Sequence, residues 1–211
     1  MKRRSRYTHG MTEPGMVRPG GRTAAVRASV LRATGDVLAE SGLPGLDLTD
    51  VASRAGVGKT TVYRRWGSAP GLVADLLSEM AAESVPRADT GTLSADLHAN
   101  AALVRKTLSD KRQGPLFKAI IAAATCDART ADALAHFYDT RVAEWAPCVL
   151  DGIARGEAPA DTDATAAIRQ VSAPLYYQFL TSTRPLKKVD AERAAESALA
   201  AIAAGVLFSG R

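Results

Sequence analysis

Only two cysteines occur in the 211 residues, Cys126 and Cys148, with no Cys-x-x-Cys and no histidine at ligand spacing. That excludes a disulfide framework or a zinc module and reads both as core thiols, with no metal and no cofactor expected. His98 and His136 stand alone, as surface or supporting residues. Long hydrophobic runs are missing as well. The longest, Ala198 to Phe208, is eleven residues, short of the roughly 18 to 20 that a membrane-spanning helix needs. The opening Met1-Lys2-Arg3-Arg4-Ser5-Arg6 has the charge of a signal peptide but no apolar stretch after it, so a cytoplasmic protein without a membrane partner is expected. Catalytic signatures are absent too: there is no Gly-x-Gly-x-x-Gly, no Gly-x-Ser-x-Gly and no cluster of histidines and carboxylates. Gly58-Lys59-Thr60 looks like the end of a phosphate loop, but the position five before Gly58 is Ser53 rather than glycine.

What is present is ordinary globular material, 46% hydrophobic and 23% charged, enough for one large domain or two small ones. The net charge of +5 is unevenly placed. Residues 1 to 65 carry 12 Lys and Arg against 5 Asp and Glu, whereas residues 66 to 211 carry 15 against 17. A basic end on a neutral body fits a polyanion, because clustered cations gain free energy by releasing the counterions condensed on nucleic acid. For the first six residues a simply solvated basic tail is an equal reading.

Residues 1 to 21 hold four glycines, two prolines and five basic residues and are expected to form a flexible arm. From Arg22 to Ser41 apolar residues recur at three and four, the spacing of an amphipathic helix that Gly42 stops. Asp47 followed by Asp50 then marks a helix start near Leu48 that buries Val51 and Ala52. Gly56 supplies a tight turn, and a second short helix from about Gly58 turns Val62 and Trp66 inward. Its outer face carries Lys59, Thr60, Thr61, Tyr63, Arg64 and Arg65. This is helix-turn-helix geometry, with a basic face suited to a major groove.

The stretch Ala52 to Trp66, reading Ala-x-x-Ala-Gly-Val-x-Lys-x-Thr-Val-Tyr-x-x-Trp, resembles the DNA-binding domain of the TetR family of bacterial transcriptional repressors. The resemblance covers Arg22 to Leu77, including Gly-Leu-Val-Ala-Asp-Leu-Leu after the motif. It implies an all-α fold: a three-helix DNA-binding domain at 22–67, then a helical ligand-binding and dimerisation domain at 68–211. It implies that Lys59, Thr60 and Thr61 reach base edges or phosphates, Lys59 being the candidate for guanine. Tyr63, Arg64, Arg65 and Arg22 are the implied phosphate contacts. Thr49 matches a position that touches DNA in relatives, while capping or plain exposure explains it equally well; for Tyr63 a packed ring is the alternative. Where relatives read Ser-Lys-Glu this chain has Ser68-Ala69-Pro70, so no lysine contact is carried onto Ala69. Lys2, Arg3, Arg4, Arg6 and Arg18 are candidates for the minor groove.

Beyond Leu77 helical spacing predicts helices at 69–84, 92–108, 115–125, 129–155, 163–183 and 190–208, with kinks at Pro147 and Pro174. Ala191, Ala194, Ala195, Ala198, Leu199, Ile202, Ala203, Val206 and Leu207 form a small-residue face, and Ala166, Ala167, Ile168, Val171, Leu175 and Phe179 form another. The resemblance implies that the last two helices join a second subunit in a four-helix bundle, giving a homodimer; completing the monomer core is the alternative. Phe117, Phe137, Tyr138, Trp145, Tyr176, Tyr177 and Phe179 are the candidate lining of a pocket for an unidentified small-molecule effector, with core packing as the other explanation. The expected function is a dimeric repressor bound to double-stranded DNA at a palindromic operator, nucleoid-associated when bound and released by ligand. The alternatives are a non-specific nucleoid-binding protein and a small helical enzyme acting on an anionic substrate.

Overall fold

In the computed structural model, residues 19–83 and 87–209 are described; all form helices and connections, with no strand among them beyond an isolated bridge between Thr162 and Phe208. The basic residues Lys2, Arg3, Arg4, Arg6 and Arg18 lie outside the described residues. The helices run α1 Pro19–Ser41, α2 Leu48–Ala55, α3 Lys59–Trp66, α4 Ala69–Ala82, α5 Leu93–Ser109, α6 Gln113–Ala124, α7 Ala128–Ala154, α8 Ala164–Thr181 and α9 Lys188–Ala203, with a single 3₁₀ turn at Leu43–Gly45.

Helix starts are set by short polar side chains. Asp47, Ser68, Thr92, Asp127 and Asp163 each accept a hydrogen bond from a backbone N–H in the first turn of the following helix, removing donors that would otherwise lack partners. The first unit packs Val30, Leu31, Val37 and Leu38 of α1 against Val51 and Ala52 of α2, Val62 and Trp66 of α3, and Leu72 and Val73 of α4. Helix α4 also lies along α7, and α6 lies along α1, so the first unit rests on the body through two helices. In the body α5 is wrapped by α6, α7, α8 and α9.

Several expectations need correction. Helix α1 begins at Pro19, inside the stretch expected to be unstructured. The last helix ends at Ala203 rather than at 208, because Gly205 takes a left-handed φ of 67°. The chain then turns back, with Asp163 N–H bonded to Leu207 O at 2.8 Å and Ser209 N–H to Asp161 O at 2.9 Å. The spans expected at 129–155 and 163–183 need no correction, since α7 and α8 run through Pro147 and Pro174. Cys148 is buried, but Cys126 is exposed at the α6–α7 corner. Finally, Ala191, Ala194, Ala195, Ala198 and Ile202 are buried inside the subunit where α9 meets α5 and α8. That part of the small-residue face is thus already covered within the monomer, whereas Ala203 and Val206 are exposed. What α8 and α9 leave open includes Ala173, Pro174, Tyr177, Arg193, Ser197 and Ala200.

The α3–α4 corner has little slack. A Cβ on Gly71 would stand 2.2 Å from the Trp66 carbonyl oxygen, a backbone atom that cannot rotate away. Gly71→Ala is therefore expected to destabilise the protein by about 1 to 3 kcal/mol, read as a lowered midpoint in denaturant unfolding with an unchanged slope.

Candidate DNA-binding interface and ligand cavity

Asp47 opens α2 by accepting from Thr49 N–H at 2.6 Å and Asp50 N–H at 3.1 Å. Gly56 closes it in the left-handed region at φ 67°, where Val57 N–H reaches back to Ala52 O at 3.0 Å. That glycine permits the sharp change of direction that a side chain would strain. Gly58 then precedes α3 without a side-chain cap, leaving the first N–H groups of the helix open. Val62 and Trp66 are buried, while Lys59, Thr60, Tyr63, Arg64 and Arg65 are exposed and Thr61 is half-buried. Thr49 is exposed on α2. Arg22 lies within α1, and its side chain falls outside the described residues.

The charges sort themselves. Arg54 pairs with Asp50 at 2.9 Å and Glu40 at 2.7 Å, and Arg27 with Asp75 and Glu79. Lys59 and Arg64 have no ion pair with any described residue. The guanidinium of Arg65 stands 5.0 Å over the ring of Trp66, a cation–π contact that holds it beside the exposed face. Within α2 and α3 the unneutralised positive charge therefore lies on α3.

Asp75 fixes α3 in place. Its carboxylate accepts from Trp66 Nε1 at 2.8 Å and from Arg27 Nη2 at 2.7 Å and Nε at 3.1 Å. Three helices, α1, α3 and α4, meet at this one group. Burial pushes the Asp75 carboxyl upward, but the hydrogen bonds from Arg27 and Trp66 outweigh it and leave the group below its usual range.

A second feature lies in the body, a cavity of about 100 Å³ between α5, α6, α7 and α8. Five of the seven candidate lining residues reach it: Phe117, Phe137, Tyr138, Trp145 and Tyr176. Phe117 packs on Phe137 with centroids 5.7 Å apart, Phe137 on Tyr138 at 5.4 Å, and Tyr138 edge-on to Tyr176 at 5.4 Å. The other two lie elsewhere. Tyr177 is 72% exposed on the outer side of α8, and Phe179 lines a separate groove, with the Lys118 ammonium 4.9 Å from its ring.

Sequence reasoning missed the cavity's polar lining, Asn100, Thr107, Arg141 and Ser172. Asn100 was findable, since a polar residue in the buried stripe of Leu93, Leu97, Ala101 and Leu108 is a conflict of pattern. It is 4% exposed, and its Oδ1 has no hydrogen-bond partner. Such an acceptor costs about 1 to 3 kcal/mol when left unsatisfied. The Tyr138 hydroxyl is likewise buried, with Tyr176 as its hydrogen-bond neighbour. Burial, and after it the neighbouring Tyr176, raises the Tyr138 phenol above its ordinary value, so it stays protonated. Arg141 is paired with Glu144 at 2.7 Å.

The cavity does not end at its aromatic wall. Leu103, Thr107, Phe117, Phe137 and Arg141 also line an adjoining void of about 180 Å³, which reaches Met80 on α4 and Glu83 at its C-terminal end. Met80, Glu83 and Gln113 belong in turn to a third void of about 240 Å³ between α1, α4 and α6. Among the described residues no group of three histidines, cysteines or carboxylates is placed to hold a metal ion. None of the described helices is long and apolar enough to cross a membrane.

A helix-turn-helix with a basic outer face, carried on an all-helical body with an internal cavity, defines the class of DNA-binding transcriptional regulators. The model described as "Bacterial regulatory proteins, tetR family" matches residues 30–76, and "Tetracyclin repressor-like, C-terminal domain" matches residues 87–198. The chain belongs to the TetR family. It is 31% identical to the HTH-type transcriptional regulator AqdR of Rhodococcus erythropolis over 145 residues, covering 67% of this chain and 68% of that protein. It is 30% identical to the DNA-binding transcriptional repressor TetR of Mycobacteroides abscessus over 167 residues, covering 78% and 85%. Among solved structures, the TetR family transcription regulator SCO0332 superposes with a TM-score of 0.66 at 27% identity, over 83% of this chain and 97% of that one.

Asp75 gives a pH test. A carboxyl whose folded pKa is lowered contributes stability above its unfolded value, near pH 4, and loses that contribution as pH falls through the lower folded value. Asp75→Asn is expected to cost about 1 to 2 kcal/mol at pH 7, with the gap to the native protein narrowing below about pH 4. Denaturant unfolding across that range measures it; a gap independent of pH would contradict the role.

Proposed function

We propose that the protein is a ligand-responsive repressor that binds a palindromic operator as a twofold dimer. The observation that carries the reading is the double role of α4. Asp75 on this helix holds the end of α3, and Met80, five residues on and about 7.5 Å along the axis, lines the void that adjoins the aromatic cavity. A ligand that changes the packing around Phe117 and Phe137 acts on the helix to which the reading head is tied. Because effector and DNA draw on one equilibrium, each weakens the other's binding by the same factor.

In this reading α3 enters the major groove, and the two copies in a dimer stand about 34 to 36 Å apart, one helical turn of DNA. Lys59 reads a base, Thr60 and Thr61 reach base edges or phosphates, and Tyr63, Arg64, Arg65, Arg22 and Thr49 hold the backbone. The division falls as a DNA-binding domain at 22–67, behind a segment at 1–21 whose last residues already belong to α1, and a regulatory domain at 68–211. The dimer uses the open faces of α8 and α9, where Pro174, Arg193 and Ser197 share one groove, rather than the alanines covered inside the subunit.

Selection of bound duplexes from a random pool tests the reading: a palindrome is expected, with a specificity ratio above about 10³ over scrambled DNA. Binding without an enriched motif would favour a non-specific nucleoid protein instead. On the selected site Lys59→Ala is expected to lose about 1 to 3 kcal/mol and to relax preference at one position. Arg65→Ala is expected to weaken all sequences alike and to flatten the slope of log K against log salt by about one. An equal loss on every sequence for Lys59→Ala, or an unchanged slope for Arg65→Ala, would overturn the respective assignment.

A further inference from the structure

The cavity is more specific than an apolar void. Its walls are mostly rings and aliphatic side chains, yet one buried polar atom at its edge is left without a partner, the Asn100 Oδ1, while the Tyr138 hydroxyl turns to Tyr176. Native interiors rarely leave such groups unpaired, and an exception calls for a missing partner. Oδ1 of Asn100 can only accept, so the partner must bring an O–H or N–H. The charge of the site is settled by Arg141, the cation in the lining, whose Nη1 is 2.7 Å from Glu144. An anion entering here would compete with that carboxylate for the guanidinium. The volume, about 100 Å³, is of the order of a cavity that holds a single benzene ring, about 150 Å³. The adjoining void of about 180 Å³ leaves room for a short substituent.

We propose that the cavity binds a small neutral hydroxyarene, a single phenol-type ring whose O–H donates to Asn100 Oδ1. This rests on the reading of the cavity as the effector site and adds its chemistry. The ring lies among Phe117, Phe137 and Tyr176, where offset and edge-on packing are available. The hydroxyl supplies the missing hydrogen bond, and a ring with only an acceptor or only apolar atoms leaves Asn100 unpaired.

Calorimetric titration of the full chain with para-cresol, its methyl ether, toluene and para-toluate tests this. Para-cresol is expected to bind about tenfold or more tightly than the methyl ether, which keeps the acceptor and loses the donor, and than toluene; para-toluate is expected to bind weakest. In Asn100→Leu, checked for folding by its thermal transition, para-cresol and toluene are expected to become equal; if that variant does not fold, the comparison of probes on the native chain stands by itself. Equal binding of the ether would remove the role of Asn100, and tighter binding of para-toluate would make Arg141 the anchor of an anionic ligand. Absence of binding by all four, with operator binding intact, would overturn the ligand class and leave the DNA-binding reading standing. Binding of para-cresol with the expected preference but without release of operator would uphold the site and overturn its role in regulation.

Discussion

The Asp75 carboxylate is the group on which the reading head depends. Helix α3 has eight residues, too few to persist in water by its own propensity, so neighbours must impose both its existence and its orientation. Val62 and Trp66 anchor it to the core, but apolar packing alone is not directional. The hydrogen bond from the Trp66 indole to Asp75, with Arg27 completing the carboxylate from α1, adds direction. Burial of a lone carboxylate there would be unfavourable; with a guanidinium and an indole N–H as partners it becomes a fixed point among three helices. The corner supports it, since Gly71 sits where no side chain fits and Ser68 caps the helix that carries Asp75.

From that point the architecture runs into the body. Helix α4 lies against α1 on one side and α7 on the other, and its C-terminal half borders the voids that lead to the aromatic cavity. Closely packed helices move as units, because interiors packed at crystal-like density transmit displacement. The voids are where that density is lowest and where an added molecule changes the packing. A second tie, Arg112 just before α6 to Asp36 of α1 at 2.7 Å, joins body and head beside the third void, so the head is held at two points.

The head was legible in the sequence because its determinants are local. Asp47, Gly56, the Val62 and Trp66 pair and the basic outer face act within a few residues of one another, where helix periodicity and capping chemistry operate. The charge asymmetry added the partner class. The Arg27–Asp75 tie was not legible, since its members stand 48 residues apart and an Arg or Asp on a helix face reads as solvated. The alanine face of α9 could be read as apolar but not assigned to its cover, and the structure places α5 and α8 there. Tyr177 follows Tyr176 directly, and the 100° step between successive helical residues turns one ring into the cavity and the other outward. Asn100 announced itself only as a break in the apolar stripe. The end of α9 at Gly205 needed the left-handed turn that glycine allows.

The most direct test of this account is amide hydrogen exchange in Asp75→Asn compared with the native protein. If Asp75 fixes the recognition helix, amides of α3 exchange faster in the variant while those of α8 and α9 keep their rates, because local opening of the head is released without loosening the body. Unchanged exchange in α3, or an equal acceleration in every helix, would contradict the claim that α3 is held through this carboxylate.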